Sequence, residues 1–291
     1  MIRNKGQIRD RIAPYLFISP FLISFIAFFA FPSVYSLILS FYRYKGYGSA
    51  TFVGVNNYIA LLTYGQFWQT VKNTGFYYLI HLIPIMVIPF LLAIAMNSKL
   101  SILKKFTKST IFLPQIVSVV AAALVFRIMM STRYGMINQM LGTQIPFLED
   151  EKLMKWSVTI MFIWRGIGWF LVVFLAGLTT IDAELSDAVA IDGANKRQEI
   201  FFITIPMMKP IFLFCFVMDT ITSLKLFVEP NLLLASSSSV GAPQMGETIM
   251  NQLTLNINNG SFGMASAVGW ILFLIILVVS FVQFRFFEER G

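Results

Sequence analysis

Three stretches of this chain contain no Asp, Glu, Lys or Arg: Ile12 to Tyr42, Asn73 to Ser98 and Thr248 to Phe284. A bilayer crossing needs roughly 20 consecutive apolar residues, and each run is long enough to supply one. The whole chain agrees, with 57% hydrophobic and 12% charged residues; that charged share is about half the usual one for a soluble domain. The expected fold class is therefore an all-α, polytopic membrane protein.

Six spans are expected, near residues 15–41, 73–97, 108–130, 155–178, 207–228 and 263–285. The fourth and fifth are the weakest. One holds Arg165 and the other holds Asp219 and Lys225, and a charge at mid-membrane costs about 3 kcal/mol on insertion scales. Pro20, Pro32, Pro84, Pro89, Pro114, Gly166 and Gly168 interrupt the spans. Such breaks are common in membrane helices and are tolerated where neighbouring groups resatisfy the freed backbone. The basic head and apolar body of the N-terminus could suggest a signal peptide, but no A-x-A-like cleavage site ends the run. An uncleaved first span is the better reading.

Lys and Arg set the orientation. With the N-terminus inside, twelve of them fall in inner segments, including Arg3, Arg9, Lys104, Lys105, Lys196 and Arg197. Seven fall in outer segments, such as Arg43, Lys45 and Arg133. The positive-inside rule then puts both termini, and the stretch 179–206, in the cytoplasm. Topology also accounts for the net charge of +8, so the basic balance carries no implication of nucleic acid.

The stretch DAVAIDGANKRQEIFFITIP, residues 187–206, is polar in an apolar chain. Asp182 is placed to cap a short helix whose early acids, Glu184 and Asp187, suit its positive end. Ala188, Ala190 and Ala194 let another surface approach closely, and Gly193 permits a turn that a side chain would hinder. Ile200, Phe201, Ile203 and Ile205 offer an apolar surface beyond it. Pro206 suits the first turn of the next span. Most helix connections run roughly 2 to 8 residues, so this segment reads as an ordered element at the membrane face, against the alternative of a solvated connector.

These residues resemble the EAA loop of the permease subunits of binding-protein-dependent ABC importers, in particular the sugar-type, maltose-permease-like group. That pattern is E-A-A, three residues, Gly, nine residues, then I-x-L-P. Here Asp187, Ala188 and Val189 stand first, Gly193 follows after three residues, and Ile203, Ile205 and Pro206 follow after nine more. Asp for Glu at 187, Val for Ala at 189 and Ile for Leu at 205 are the departures. The likeness runs over about residues 12–287, through FVGVNNYIALL (52–62), IFLPQIVSVVAAALVFRIMM (111–130), GAP (241–243) and FGMASAVGWILFLIILVV (262–279).

The resemblance implies a type I importer permease fold with six transmembrane helices, one domain over 1–291 and a cytoplasmic coupling loop at about 179–206. It implies that Asp187, Ala188, Val189, Asp192, Gly193, Ala194, Ile203 and Pro206 belong to the loop whose short helices dock on a cytoplasmic ATPase. The implied partners are a second, related permease, two ATPase subunits that bind ATP and Mg, an extracytoplasmic binding protein, and a sugar or oligosaccharide. The implied location is the bacterial inner membrane, in contact with lipid. The chain itself has no Gly-Lys dipeptide, so it lacks a phosphate-cradling loop ending in G-K-[ST]; no cofactor and no enzymatic activity are expected in it.

Other residues are open to more than one reading. Arg165, between Trp164 and Trp169, could line a sugar path or join an intramembrane ion pair, with Asp219 as a possible partner. Asn251 and Gln252 are placed to enter the path from the last outer segment. Lys225 and Glu229 have the spacing of a local i,i+4 pair. His81 is the only histidine and reads as a hydrogen-bonded packing residue sooner than as a proton relay. Cys215 stands alone, so neither a disulfide nor a cysteine metal site is expected. An ion-coupled transporter acting without an ATPase is the rival reading; it is disfavoured because Asp219 is essentially the only carboxylate inside a span.

Overall fold

The computed structural model describes residues 3–97, 104–182, 184–185, 193–234 and 246–288. The chain divides into two compact units, Met1–Thr63 with Leu253–Ile271, and Tyr64–Gln252 with Leu272–Gly291.

In the first unit, α1 (Arg3–Phe25) passes through a wide π turn at Ile26–Ala30 into α2 (Phe31–Leu39). Pro32 stands in the first turn of α2, where its missing N–H is accommodated by the wider turn before it. No residue in the apolar window of Pro14–Leu39 is buried, a surface suited to lipid, which is as apolar as the side chains themselves. A two-stranded hairpin follows, β1 (Tyr42–Arg43) against β2 (Thr51–Phe52), paired Tyr42 to Phe52 and Arg43 to Thr51. Asn57, on α3 (Asn56–Thr63), donates to the carbonyls of Ser40 at 2.7 Å and Tyr42 at 3.0 Å, holding the end of α2 to the hairpin. Trp270 Nε1 donates to Ser36 Oγ at 3.1 Å.

The second unit contains α4 (Gly65–Asn97), α5 (Lys104–Ile116), α6 (Val119–Met129), α7 (Met136–Leu141) and α8 (Glu151–Leu178). Then come α9 (Lys196–Glu199), a π turn at Ile200–Thr204, α10 (Ile205–Met207), α11 (Lys209–Leu224) and α12 (Val228–Leu234). Helices α13 (Ile249–Asn258) and α14 (Phe262–Glu288) pass between the units along the chain.

Asp150 starts α8 by accepting from the backbone N–H groups of Lys152 and Leu153. Helix α8 then packs along α4. Ile85, Met86, Phe90 and Ala93 of α4 bury against Phe170, Leu171 and Phe174 of α8 and Cys215 of α11. Close approach, not hydrophobicity, is what holds helices together in lipid, and Gly168 shows it: a Cβ there would lie 2.6 Å from the carbonyl oxygen of Ile111, so α5 touches α8 by its backbone.

Of the six expected spans, four are single helices long and apolar enough to cross a membrane: Pro14–Leu39, Gly65–Asn97, Glu151–Leu178 and Phe262–Phe287. The third falls on a bent pair, and the fifth, expected at 207–228, is the second arm of another, Lys196–Met207 with Lys209–Leu224; the total is six if each pair is one span. The third bends by 106° between Thr110–Ile116 and Val119–Met129, where Ser118 adopts ψ 128° and leaves helical geometry. The pair that holds the fifth bends by 66° at Met208. Pro210, not Pro206, therefore occupies the first turn of α11, while Pro206 follows the π turn that accommodates it.

Candidate functional site

Polar and charged residues on α4, α8, α11 and α12 line a cavity of about 410 Å³, within the size range of small-molecule clefts. Arg165 crosses it to Glu229, with Nη1 donating to Oε1 at 2.5 Å. Both side chains are largely buried, at 18% and 8% exposure. Pairing is what makes two such charges tolerable away from water. Trp169 adds an aromatic wall, and Gln115 and Lys225 add polar groups.

Asp219, the other carboxylate in the cavity, is fully buried. Its partner is His81: Nδ1 stands 2.8 Å from Oδ1, and Ser223 Oγ donates to the same oxygen at 3.1 Å. The imidazole stacks on Phe162 with centroids 3.9 Å apart. Arg165 is thus in an ion pair, but with Glu229 and not with Asp219. Glu229 in turn pairs across the cavity instead of with Lys225 in its own segment.

Arg165, Trp169 and Asp219 come together on this cavity. Trp164 lies outside its lining, 39% exposed, with its ring 5.2 Å from that of Phe126. Asn251 and Gln252 are outside it too. Asn251 closes a reciprocal cap at the start of α13, its Oδ1 accepting from Thr248 N at 3.0 Å and its N donating to Thr248 Oγ1 at 3.3 Å. Asn73, Thr74 and Tyr77 hold the same segment by bonding the backbone of Glu247, Ile249 and Gly246. Burial raises the Glu247 carboxyl above its ordinary range, and its Oε2 has no hydrogen-bond partner among the described residues.

His81, Ser223 and Glu229 are the site residues that sequence reasoning did not assign. The usable signal was chemical: an intramembrane His and Asp each require a partner, and the chain has only one His.

Asp187, Ala188, Val189 and Asp192 lie outside the described residues. Around them, Asp182 Oδ1 accepts from Glu184 N at 3.0 Å, as a cap would. Gly193 has φ +78°, the left-handed region that side chains disfavour. Asn195 and Gln198 form a capping box at the start of α9. The helix that follows leaves Phe201 and Phe202 65% and 74% exposed. Ala194 and Ile203 are half-buried and Pro206 is exposed.

The model of the family described as "Binding-protein-dependent transport system inner membrane component" matches residues 58–290. The chain is 32% identical over 285 residues to the arabinooligosaccharides transport system permease protein AraP of Bacillus subtilis, covering 94% of this chain and 88% of that one. It is 32% identical over 287 residues to the lactose transport system permease protein LacF of Rhizobium radiobacter, covering 95% and 94%. A solved bacterial ABC transporter for import of the acidic polysaccharide alginate has a chain that superposes with TM-score 0.85 at 22% identity, over 99% of each chain. That likeness places the fold with the type I importer permeases. The chain belongs to the family of binding-protein-dependent transport system inner membrane components and is a multi-pass permease subunit of such a system.

Proposed function

We propose that this subunit forms part of the membrane path for a sugar or oligosaccharide, driven by ATPases on other polypeptides. The observation that carries the reading is the cavity in which Arg165, Glu229, Asp219 and Trp169 meet. Amide, guanidinium and carboxylate groups bond hydroxyls, and an indole face packs on the apolar face of a sugar ring. Relatives whose names specify arabinooligosaccharides and lactose point to the same substrate class.

In this reading the loop at about 179–206, with Asp187, Ala188, Val189, Asp192, Gly193, Ala194, Ile203 and Pro206, docks on an ATPase that binds ATP and Mg. The importer holds a second related permease, two such ATPases and an extracytoplasmic binding protein. Both termini face the cytoplasm. The left-handed backbone at Gly193 and the capped helix after it are what a fixed docking turn requires.

The test is copurification from the native membrane with mass spectrometry, together with uptake of labelled oligosaccharides by wild type and Gly193→Trp. The expected result is a copurifying ATPase and uptake that collapses in the variant. Undiminished uptake in Gly193→Trp, with no ATPase accompanying the wild type, would overturn the reading.

A further inference from the structure

Every buried polar atom left unpaired costs free energy, so orphans that share one cavity point to a group that completes them. Three such atoms belong to residues lining the 410 Å³ cavity: His81 Nε2, Asp219 Oδ2 and Arg165 Nε have no hydrogen-bond partner among the described residues. His81 is 1% exposed and Asp219 is fully buried.

The three atoms differ in what they want. Arg165 Nε can only donate, and a carboxylate oxygen of Asp219 can only accept. Nδ1 of His81 is taken by Asp219, so Nε2 is the one polar position its ring has left. Phe162 packs on the ring face, and Gly166, one turn further along α8, leaves the Nε2 edge clear: a Cβ there would stand 3.5 Å from Nε2. A histidine serving only to fill space has no use for a fixed ring angle and an open edge.

A hydroxyl both donates and accepts, and a sugar presents several on one rigid ring. Building on the transport reading above, we propose that His81 is a specificity-determining residue whose Nε2 bonds one hydroxyl of the passing sugar. Asp219 and Ser223 act as positioning residues that hold the imidazole, and Arg165 Nε and Asp219 Oδ2 serve neighbouring hydroxyls.

The substitution that separates this role from packing is His81→Asn, whose amide can keep the donor to Asp219 while the Nε2 position disappears. The complete importer is reconstituted in proteoliposomes with saturating binding protein, so that the receptor's own affinity does not mask the permease. Uptake of radiolabelled lactose and arabinotriose is compared with that of their monodeoxy analogues. Wild type is expected to disfavour one monodeoxy analogue by roughly tenfold, the value of one hydrogen bond. His81→Asn should erase that preference and keep the others. Gly166→Ala, whose methyl would stand in ordinary contact with Nε2 at 3.5 Å and take up space beside it without touching the Asp219 bond, should blunt the same preference.

Retention of every wild-type preference by both variants overturns the role, as does an equal loss for all sugars, which is the signature of packing alone. A wild-type importer that takes up neither sugar nor any analogue overturns the transport reading itself, and is distinguished by needing no variant.

Discussion

Arg165 and Glu229 stand 64 residues apart in the chain, yet their side chains meet at 2.5 Å and tie α8 to α12. Removing one partner strands the other charge in a largely buried place. Arg165→Met and Glu229→Leu should each cost about 3 kcal/mol of stability, while the double change to Met and Leu recovers most of it. Denaturation of the four members of this cycle in one detergent checks it; additive losses would mean that the two charges do not interact.

Two glycines on α8 predict opposite tolerances. A methyl at Gly168 meets the Ile111 carbonyl oxygen and, at 2.8 Å, the Phe112 Cα, both backbone atoms that cannot step aside. A methyl at Gly166 meets chiefly the Ile85 Cδ1, the end of a flexible side chain, at 2.9 Å. Gly168→Ala should cost roughly 1–3 kcal/mol and Gly166→Ala less than about 1 kcal/mol, read as thermal-shift differences.

At Gly193 the backbone, not the space around it, sets the limit, since nothing lies within 4 Å of an added Cβ. Gly193→Val should cost roughly 1–2 kcal/mol of local strain, whereas Gly193→Asn should be milder because Asn tolerates the left-handed region. Protease susceptibility of the 179–206 segment reports the order; Val milder than Asn would contradict it.

Burial raises the Glu247 carboxyl, so the folded state holds this proton more tightly than the unfolded chain does. Stability from this site is therefore greatest below the ordinary carboxylate range and is lost as pH rises through the raised folded value. Glu247→Gln should remove that dependence and raise thermal stability at neutral pH. An unchanged pH profile in the variant counts against it.

Much of the fold was legible because lipid imposes it: uncharged runs marked the first, second and sixth spans, and Gly193 marked its turn. The partners of the charges were not legible. The i,i+4 spacing of Lys225 and Glu229 holds only along one helix, and α11 ends at Leu224 before α12 begins at Val228, so Glu229 is free to face Arg165. His81 and Asp219 are joined across 138 residues, a separation to which periodicity is blind. Asn251 was readable in principle, since Thr248 three residues earlier has the spacing of a reciprocal cap. The third span hid its break because Val117, Ser118 and Val119 continue an apolar pattern through the bend.

The helix from Lys196 to Met207 meets α11 at 66°, with Met208 buried at the corner. At about 1.5 Å per residue it is a crank arm about 18 Å long. Because its outer end is capped and its inner end is wedged in the protein, a shift of about 3 Å at the capped end corresponds to roughly 10° of rotation by that rise. α11 carries Asp219 and Ser223, so in the docking reading above the arm at the loop and the group that holds His81 belong to one bent pair of helices.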